Sequence, residues 1–386
     1  MKKMTKTEER DLKRWCLIQE FRQSLTKELE HHPRHSSEDD PRRKLHYLDY
    51  ASAILFTLFN PVLKSMRGLC AASELSKVKK YVTMDKVSLG SFSEAQHVFN
   101  SDALRHLVQK LAAKIHPEQL KNRSLLAGVK DLVAVDGSLF QTLTRVLWAD
   151  WLDDNHKATK LHLGFSLLTQ KAVDAVITSG NSCERRALLK MIDPGVMYVC
   201  DRYYGLDYEY FDELRERGAR FTIRIRNKPK ITVIEEYEVS EKDRREGVIS
   251  DQLVYLGDGK RGLSPIRLVR TGAFNDKEIL LVTSEPPEKM NAALISIIYR
   301  QRWQIEVFFK WLKSILGCRK LLAESSNGVA IQMYCALIAA IMLFDLFGKK
   351  PTRRQMETVQ FYFLRYAKRK NSTMLLRKAK IQNKAN

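Results

Sequence analysis

Apolar residues recur at helical spacing through the first third of the chain. LKRWCLIQEFRQSLTKEL and ALRHLVQKLAAKI each gather them on one face, so residues 1 to about 125 read as mostly helical. Between these helices, HHPRHSSEDDPRRK is polar and carries two prolines, which predicts a loop. In SLGSFSEAQHVF, Ser93 is the expected N-cap of a short helix.

The period changes after Pro117. LVAVDG (132–137) is a short apolar run ending on an acid and a glycine, the pattern of a strand buried on both faces. KLHLGFSLL and DAVITSG read as two further strands, and CERRALLKMI as a helix. VMYVCD (196–201) repeats the first motif, an apolar strand that ends on an acid. DYEYFDELRERG follows as a helix with Gly218 as its stop, then RFTIRIR as a strand. From about 227 to 287, strand-like runs alternate with charged turns. Helix returns from about Lys289 to Gly317. This is the element order of a ribonuclease H-like α/β fold, interrupted by a β-rich insertion. In that topology the first and fourth strands lie side by side. Asp136 and Asp201 are then expected together at neighbouring strand ends, where open α/β sheets place their chemistry.

The segment IIYRQRWQIEVFFKWLKSILG (297–317) mixes grease with one acid and several cations. At about 100° per residue, Tyr299, Arg302, Glu306 and Lys313 fall on one stripe about 60° wide, with Lys310 just beside it. The apolar residues 305, 308, 309, 312, 315 and 316 take the other side. Taken alone, this is an amphipathic helix with an Arg302–Glu306 pair at favourable spacing. Joined by two strand-end aspartates, Glu306 completes a set of three carboxylates that can hold a pair of Mg²⁺ ions, with Mn²⁺ an alternative. The flanking cations and Tyr299 then suit a phosphodiester.

Charge points the same way. Across 386 residues the formal net charge is +21, with pI near 9.6. Such a surplus selects polyanionic partners, nucleic acid first. From Lys349 to Asn386 there are 12 Lys or Arg and one acid, Glu357, so that tail holds a net +11. Phe361, Tyr362, Phe363 and Tyr366 are mixed among its cations, as in segments that stack on bases and contact phosphates. The alternative is a solvated basic tail. The six cysteines (16, 70, 183, 200, 318, 335) form no CxxC pair and read as reduced thiols of a cytoplasmic protein. MKKMTKTEERDLKRWC has no apolar stretch of the signal-peptide type. The longest apolar run, Met333 to Phe344, is short for a bilayer span and predicts a buried helix, so no membrane partner is expected. His31, His32 and His35 have no cysteine or carboxylate at ligand spacing and are not read as a metal site.

Tyr299, Arg302, Glu306 and Lys313 fit the spacing Y-x2-R-x3-E-x6-K. Together with VAVDGS and VCDRYYG, they make the chain resemble the insertion-sequence-four family of DDE transposases, which carry this YREK signature. The resemblance spans roughly Leu125 to Phe347. It implies a catalytic, metal-binding triad of Asp136, Asp201 and Glu306. It further implies a ribonuclease H-like domain (126–347) with its insertion at about 227–287, a helical DNA-binding domain (1–125) and a basic C-terminal tail (348–386). The implied partner is DNA, at the element's terminal inverted repeats and at the target, bound by a homodimer that synapses both ends. Implied phosphate contacts are Tyr299, Arg302, Lys310 and Lys313. Arg224 and Arg226, alternating on one strand face, resemble further ones, against a solvated strand face as the plainer reading. Related enzymes hold a flipped base with tryptophans of the insertion. Here the five tryptophans are 15, 148, 151, 303 and 311, so none lies in it. Lys160, His162 and Arg202 are lesser candidates near the two aspartates. Two rival functions remain: a DNA-binding protein without chemistry, and a ribonuclease H-like nuclease without strand transfer.

Overall fold

The structure, a computed structural model, describes residues 17–82, 86–114, 128–257, 264–272, 278–318 and 321–364. Among the described residues, six helices come first: α1 (Leu17–Leu29), α2 (Tyr47–Leu58), α3 (Met66–Ser73), α4 (Ser76–Val82), α5 (Leu89–Val98) and α6 (Asp102–Ala112). The prolyl loop between α1 and α2 forms only a 3-10 turn, Ser36–Asp39. Helix α5 begins earlier than expected. Its N-cap is Ser88, whose side chain accepts from the Ser91 amide at 3.1 Å, and Ser93 lies inside the helix. The sequence offers a serine at both positions, and Ser88 is the one with extended backbone at the turn into the helix.

The mixed α/β part follows as β1 (Leu132–Gln141), β2 (Ala158–Ser166), β3 (Ala172–Ser179), α7 (Glu184–Leu189), β4 (Met197–Gly205), α8 (Glu209–Glu216) and β5 (Arg220–Ile225). Next come β6 (Ile231–Tyr237), α9 (Glu241–Arg245), β7 (Val248–Leu256), β8 (Ile266–Gly272) and β9 (Glu278–Thr283). Four more helices follow among the described residues: α10 (Ala292–Gln301), α11 (Trp303–Ser314), α12 (Ser326–Phe347) and α13 (Arg353–Phe363). All nine strands join one sheet in the order β3-β2-β1-β4-β5-β9-β8-β7-β6. β1 runs parallel to β4, and β4 parallel to β5, while β2 and β3 are antiparallel. The β-rich segment does not stand apart. It extends the sheet through the antiparallel β5–β9 pair.

Strand parity explains the two cores. In β1, Leu132 and Ala134 face the helical layer that holds α2, α6, α11 and α12, whereas Val133 and Val135 face the layer with α7 and α8. β4 splits likewise: Met197 and Val199 on the first side, Tyr198 and Cys200 on the second. This double burial is why both strands read as continuous apolar runs.

Helix α12 corrects one expectation. Its 22 residues make it long and apolar enough to cross a membrane, so the length argument drawn from Met333–Phe344 fails. Burial decides instead, because 83% of its apolar window lies inside the protein, against α2, α5, α6 and β3. The basic tail also begins differently from the expectation of a base-stacking segment. Phe363 is buried against Phe59 (ring centroids 5.1 Å apart) and Phe56, and Met356 and Val359 are buried beside it. Phe361 alone of the described tail aromatics is exposed. Tyr366 and the rest of the tail lie outside the described residues, as do Trp15 and the thiol at Cys16. The five described cysteines are free.

A buried ion pair anchors the second half of the sheet to the helix that follows it. Arg267 on β8 forks onto Asp251 of β7 at 2.8 and 2.6 Å, and both side chains are 4% exposed. Its remaining N–H groups donate to the carbonyls of Glu285 and Met290, just before α10. Removing one partner strands the other charge in a dry site. Arg267→Ala is therefore expected to lower unfolding free energy by about 3–5 kcal/mol in denaturant titration. A loss below about 1 kcal/mol, the exposed-pair range, would contradict this role.

Candidate active site

The ladder between β1 and β4 ends at Val135↔Cys200, so Asp136 and Asp201 are the next residues on two parallel neighbours. Asp136 shares the parity of Leu132 and Ala134, and Asp201 that of Met197 and Val199. Both aspartates are thereby directed to the face on which α11 lies. The β4–β5 register also shifts between Cys200 and Gly205, which frees Asp201, Arg202 and Tyr203 from that ladder. Each carboxylate is braced by a backbone amide: Gly137 donates to Asp136 Oδ1 at 2.8 Å, and Tyr203 to Asp201 Oδ1 at 2.8 Å. At Gly205 a Cβ would stand 2.3 Å from the Arg224 carbonyl oxygen, so only glycine permits β4 to return to β5 there.

Glu306 reaches this point from the other direction. The long helix expected over 289–317 is two helices, α10 and α11, joined at Arg302. Arg302 keeps helical backbone angles, but its N–H bonds to the Tyr299 carbonyl and its carbonyl accepts from Ile305, a tightening to i→i+3 bonding. Arg302 is the hub of the site. Its Nη2 donates to Glu306 Oε1 at 2.6 Å, and its Nη1 lies 3.9 Å from Asp136 Oδ2. One guanidinium thus spans the carboxylate of β1 and the carboxylate of α11.

The remaining candidates fall into two groups. Tyr299 and Arg224 adjoin Arg302. Tyr299 is 9% exposed, its hydroxyl interacts with the Arg224 side chain, and burial pushes its pKa up against the pull of Arg302 and Arg224. Arg224 Nε is buried with no hydrogen-bond partner. Lys310 is exposed on α11. Lys313 donates to the Leu139 carbonyl at 2.6 Å and lies 4.6 Å above the Phe140 ring, tying α11 to β1. Arg226 is not gathered with the others. It lies one residue past β5, exposed, with Tyr208 in its field. His162 is fully buried; burial first, then Lys160 and Lys190, pull its pKa down to about 3, so it stays neutral.

Sequence reading missed Glu184. It stands at the start of α7, on the opposite face, and leans over the end of β1. A Cβ on Gly137 would come 2.7 Å from Glu184 Oε1, which explains the glycine of VAVDG. Its carboxylate pairs with Lys160 at 3.5 Å, and Lys160 also donates to the Ser182 carbonyl. Burial, and after it the charge of Asp201, raises the Glu184 pKa against the pull of Lys160. The available signal was Gly137 itself, a small residue beside a catalytic-looking acid.

Burial dominates the electrostatics of the site. Burial pushes the Asp136 carboxyl up to about 7. Arg302 opposes that shift, and Glu184 and Asp201 add to it. Burial works against the charge on Arg302, but its bond to Glu306, with Tyr299 and Asp136 nearby, outweighs this and raises its pKa. All the nearby anionic donors are carboxylate oxygens, the set that suits a hard divalent cation.

Residues 127–342 match the model of the transposase DDE domain. The chain belongs to that family. Among similar proteins, a putative transposase y4zB of Sinorhizobium fredii is 31% identical over 39% of this chain and 43% of its own length. A probable transposase for insertion sequence element IS5377 of Geobacillus stearothermophilus is 26% identical over 67% of this chain and 68% of its own. A putative transposase for insertion sequence element IS4SA of Synechocystis sp. is 23% identical over 67% and 72%. The matched segment of the DDE domain contains β1, β4, the joint at Arg302 and α11.

The raised pKa of Asp136 has a sign that can be checked. The unfolded carboxyl titrates near its ordinary value of about 4, and the folded one near 7. Ionisation of Asp136 in the folded chain therefore costs stability that is lost progressively as pH rises from about 4 to 7. Asp136→Asn removes that cost. In metal-free buffer its Tm is expected to exceed the native value at pH 8, with the gap closing toward pH 4. A gap that is absent at pH 8, or unchanged between pH 4 and 8, would show that burial does not hold the Asp136 carboxyl toward its protonated form.

Proposed function

We propose that this chain is an insertion-sequence transposase of the YREK, insertion-sequence-four type, and that Asp136, Asp201 and Glu306 are its catalytic acids. The observation that carries the reading is the guanidinium of Arg302 set between Asp136 and Glu306, beside the Asp201 strand end. A cation already pairs with two of the carboxylates, one of which burial penalises. Replacing that cation by Mg²⁺ or Mn²⁺ is the exchange the donor set favours.

The three carboxylates would hold divalent ions, which would supply activation of the attacking oxygen and stabilisation of the leaving oxygen for cleavage and transfer of a DNA phosphodiester. The chain's own groups do the rest. Asp136 and Asp201 hold the ions from the sheet, and Glu306 from α11. Arg302, once released from Glu306, presents its fork to a phosphate, and the Tyr299 hydroxyl donates beside it. Arg224, with a buried Nε in want of an acceptor, takes a second phosphate oxygen. Lys310 and Lys313 neutralise the backbone along α11, Lys313 while keeping its bond to Leu139. Arg226, exposed past β5, contacts DNA farther from the scissile bond.

The sheet order β3-β2-β1-β4-β5, with β1, β4 and β5 parallel, supports a ribonuclease H-like core, and β6–β9 would be the insertion preceding the glutamate helix. On this reading, residues 1–125 form a helical DNA-binding domain, 126–347 the catalytic domain and 348–386 the basic tail. The substrates are the terminal inverted repeats of the element and the target DNA, acted on by a synaptic homodimer in the cytoplasm, at the nucleoid. The net charge of +21 suits such a polyanionic partner.

Glu306→Ala separates chemistry from binding. It is expected to lower Mg²⁺-dependent cleavage of DNA carrying the element's ends by about 10³-fold or more, with DNA affinity in a gel-shift assay almost unchanged. Cleavage within about tenfold of native would remove Glu306 from the catalytic set.

A further inference from the structure

Of the three histidines in HHPRH, two have local roles. His31 Nδ1 bonds to the Lys27 carbonyl, and His35 Nδ1 accepts from the Ser37 amide to cap the 3-10 turn. His32 differs. It lies just past the end of α1 and meets two residues that the sequence reading did not connect with it. Glu28, four residues earlier in the last turn of α1, brings Oε1 to 3.1 Å from His32 Nε2. His106, on α6, brings Nδ1 to 2.8 Å from the same Nε2. The three donor atoms lie within 4.8 Å of one another. The absence of a carboxylate partner for these histidines is thereby corrected: Glu28 stands at i−4, and His106 is supplied by folding.

His32 Nε2 faces a carboxylate oxygen and an imidazole nitrogen at once, so the donor atoms of three side chains gather at one point. The two rings are tilted at 35° with their centroids 4.6 Å apart, which leaves one nitrogen of each beside the Glu28 carboxylate. Glu28 is 3% exposed, yet it is a carboxylate. Lys110 takes its other oxygen, Oε2, at 2.6 Å and leaves Oε1 directed at the histidines. Both Lys110 and His32 help hold the Glu28 carboxyl below its ordinary range, against the cost of burial.

We propose that Glu28, His32 and His106 bind one Zn²⁺ ion per chain, with a fourth position open to solvent on the exposed His106 side. Two imidazole nitrogens and one carboxylate oxygen form a donor set that zinc favours and that Mg²⁺ does not. Binding takes both imidazoles in their neutral form. The ion clamps the C-terminal end of α1 to α6, and α6 packs on β3 at the sheet edge. It is a separate site from the carboxylates on β1, β4 and α11, and the inference does not rest on their function.

The test is zinc titration of the full chain by calorimetry in excess Mg²⁺, which occupies oxygen-only sites. Co²⁺ substitution monitored by visible absorption reports nitrogen ligation. One zinc per chain is expected, with a zinc-dependent rise in Tm. His106→Ala is expected to weaken zinc binding by more than about 100-fold, beyond the effect of removing an outer-shell partner, and to abolish the Tm rise. Alanine favours helix, so α6 is expected to persist, as circular dichroism would show. Should that variant unfold, His32→Gln, outside both helices, is read in the same way. No zinc bound by the native chain in Mg²⁺, or undiminished binding by the folded variants, overturns the proposal.

Discussion

The parallel pairing of β1 with β4 is the constraint on which the rest of the molecule depends. The two strands are separated in sequence by a hairpin and a helix, yet their ladder stops one residue short of an aspartate on each. Because side chains alternate along a strand, the apolar residues that fill the helical face also set where those aspartates point. Leu132 and Ala134 aim Asp136; Met197 and Val199 aim Asp201. The core and the site are one pattern, and a register slip of a single residue would turn both carboxylates away from α11.

Arg302 converts this geometry into a site at rest. Desolvation penalises a carboxylate at the end of β1, and the neighbouring acids on β4 and α7 add to the penalty. The guanidinium offsets part of it by facing Asp136 and holding Glu306. Its place at the joint of α10 and α11, where bonding tightens for one residue, lets it serve both sides. Stability is given up here for a polar, convergent cluster, as is common where a chain binds charged ligands. The support lies farther out. The Arg267–Asp251 pair fixes the approach to α10, and Lys313 fastens α11 to β1 through the Leu139 carbonyl.

Much of this was legible from residues alone. Double burial made β1 and β4 visible as continuous apolar runs, and the spacing from Tyr299 to Lys313 placed Arg302 and Glu306 together. What escaped had physical causes. Helix α12 is longer than the apolar run from Met333 suggests, because Gln332 interrupts that run and Ser326, Asn327 and Gly328 give the first turn a polar start. Ser88 rather than Ser93 caps α5, a choice between two similar signals that tertiary packing decides. Its cationic neighbours place Phe363 in a base-stacking segment, but the pocket formed by Phe56 and Phe59 is assembled by folding. Glu184 belongs to a helix whose sequence carries no sign that its first turn overhangs β1. Arg224 and Arg226 share a parity, but only the first still lies within the strand.

Anomalous scattering from crystals of the full chain grown with Mn²⁺ tests the central claim most directly. Density is expected in the space bounded by the carboxylates of Asp136, Asp201 and Glu306, with Arg302 displaced from Glu306. Well-ordered crystals in which that space holds no anomalous peak, with Arg302 still bridging Asp136 and Glu306 at saturating Mn²⁺, would contradict it.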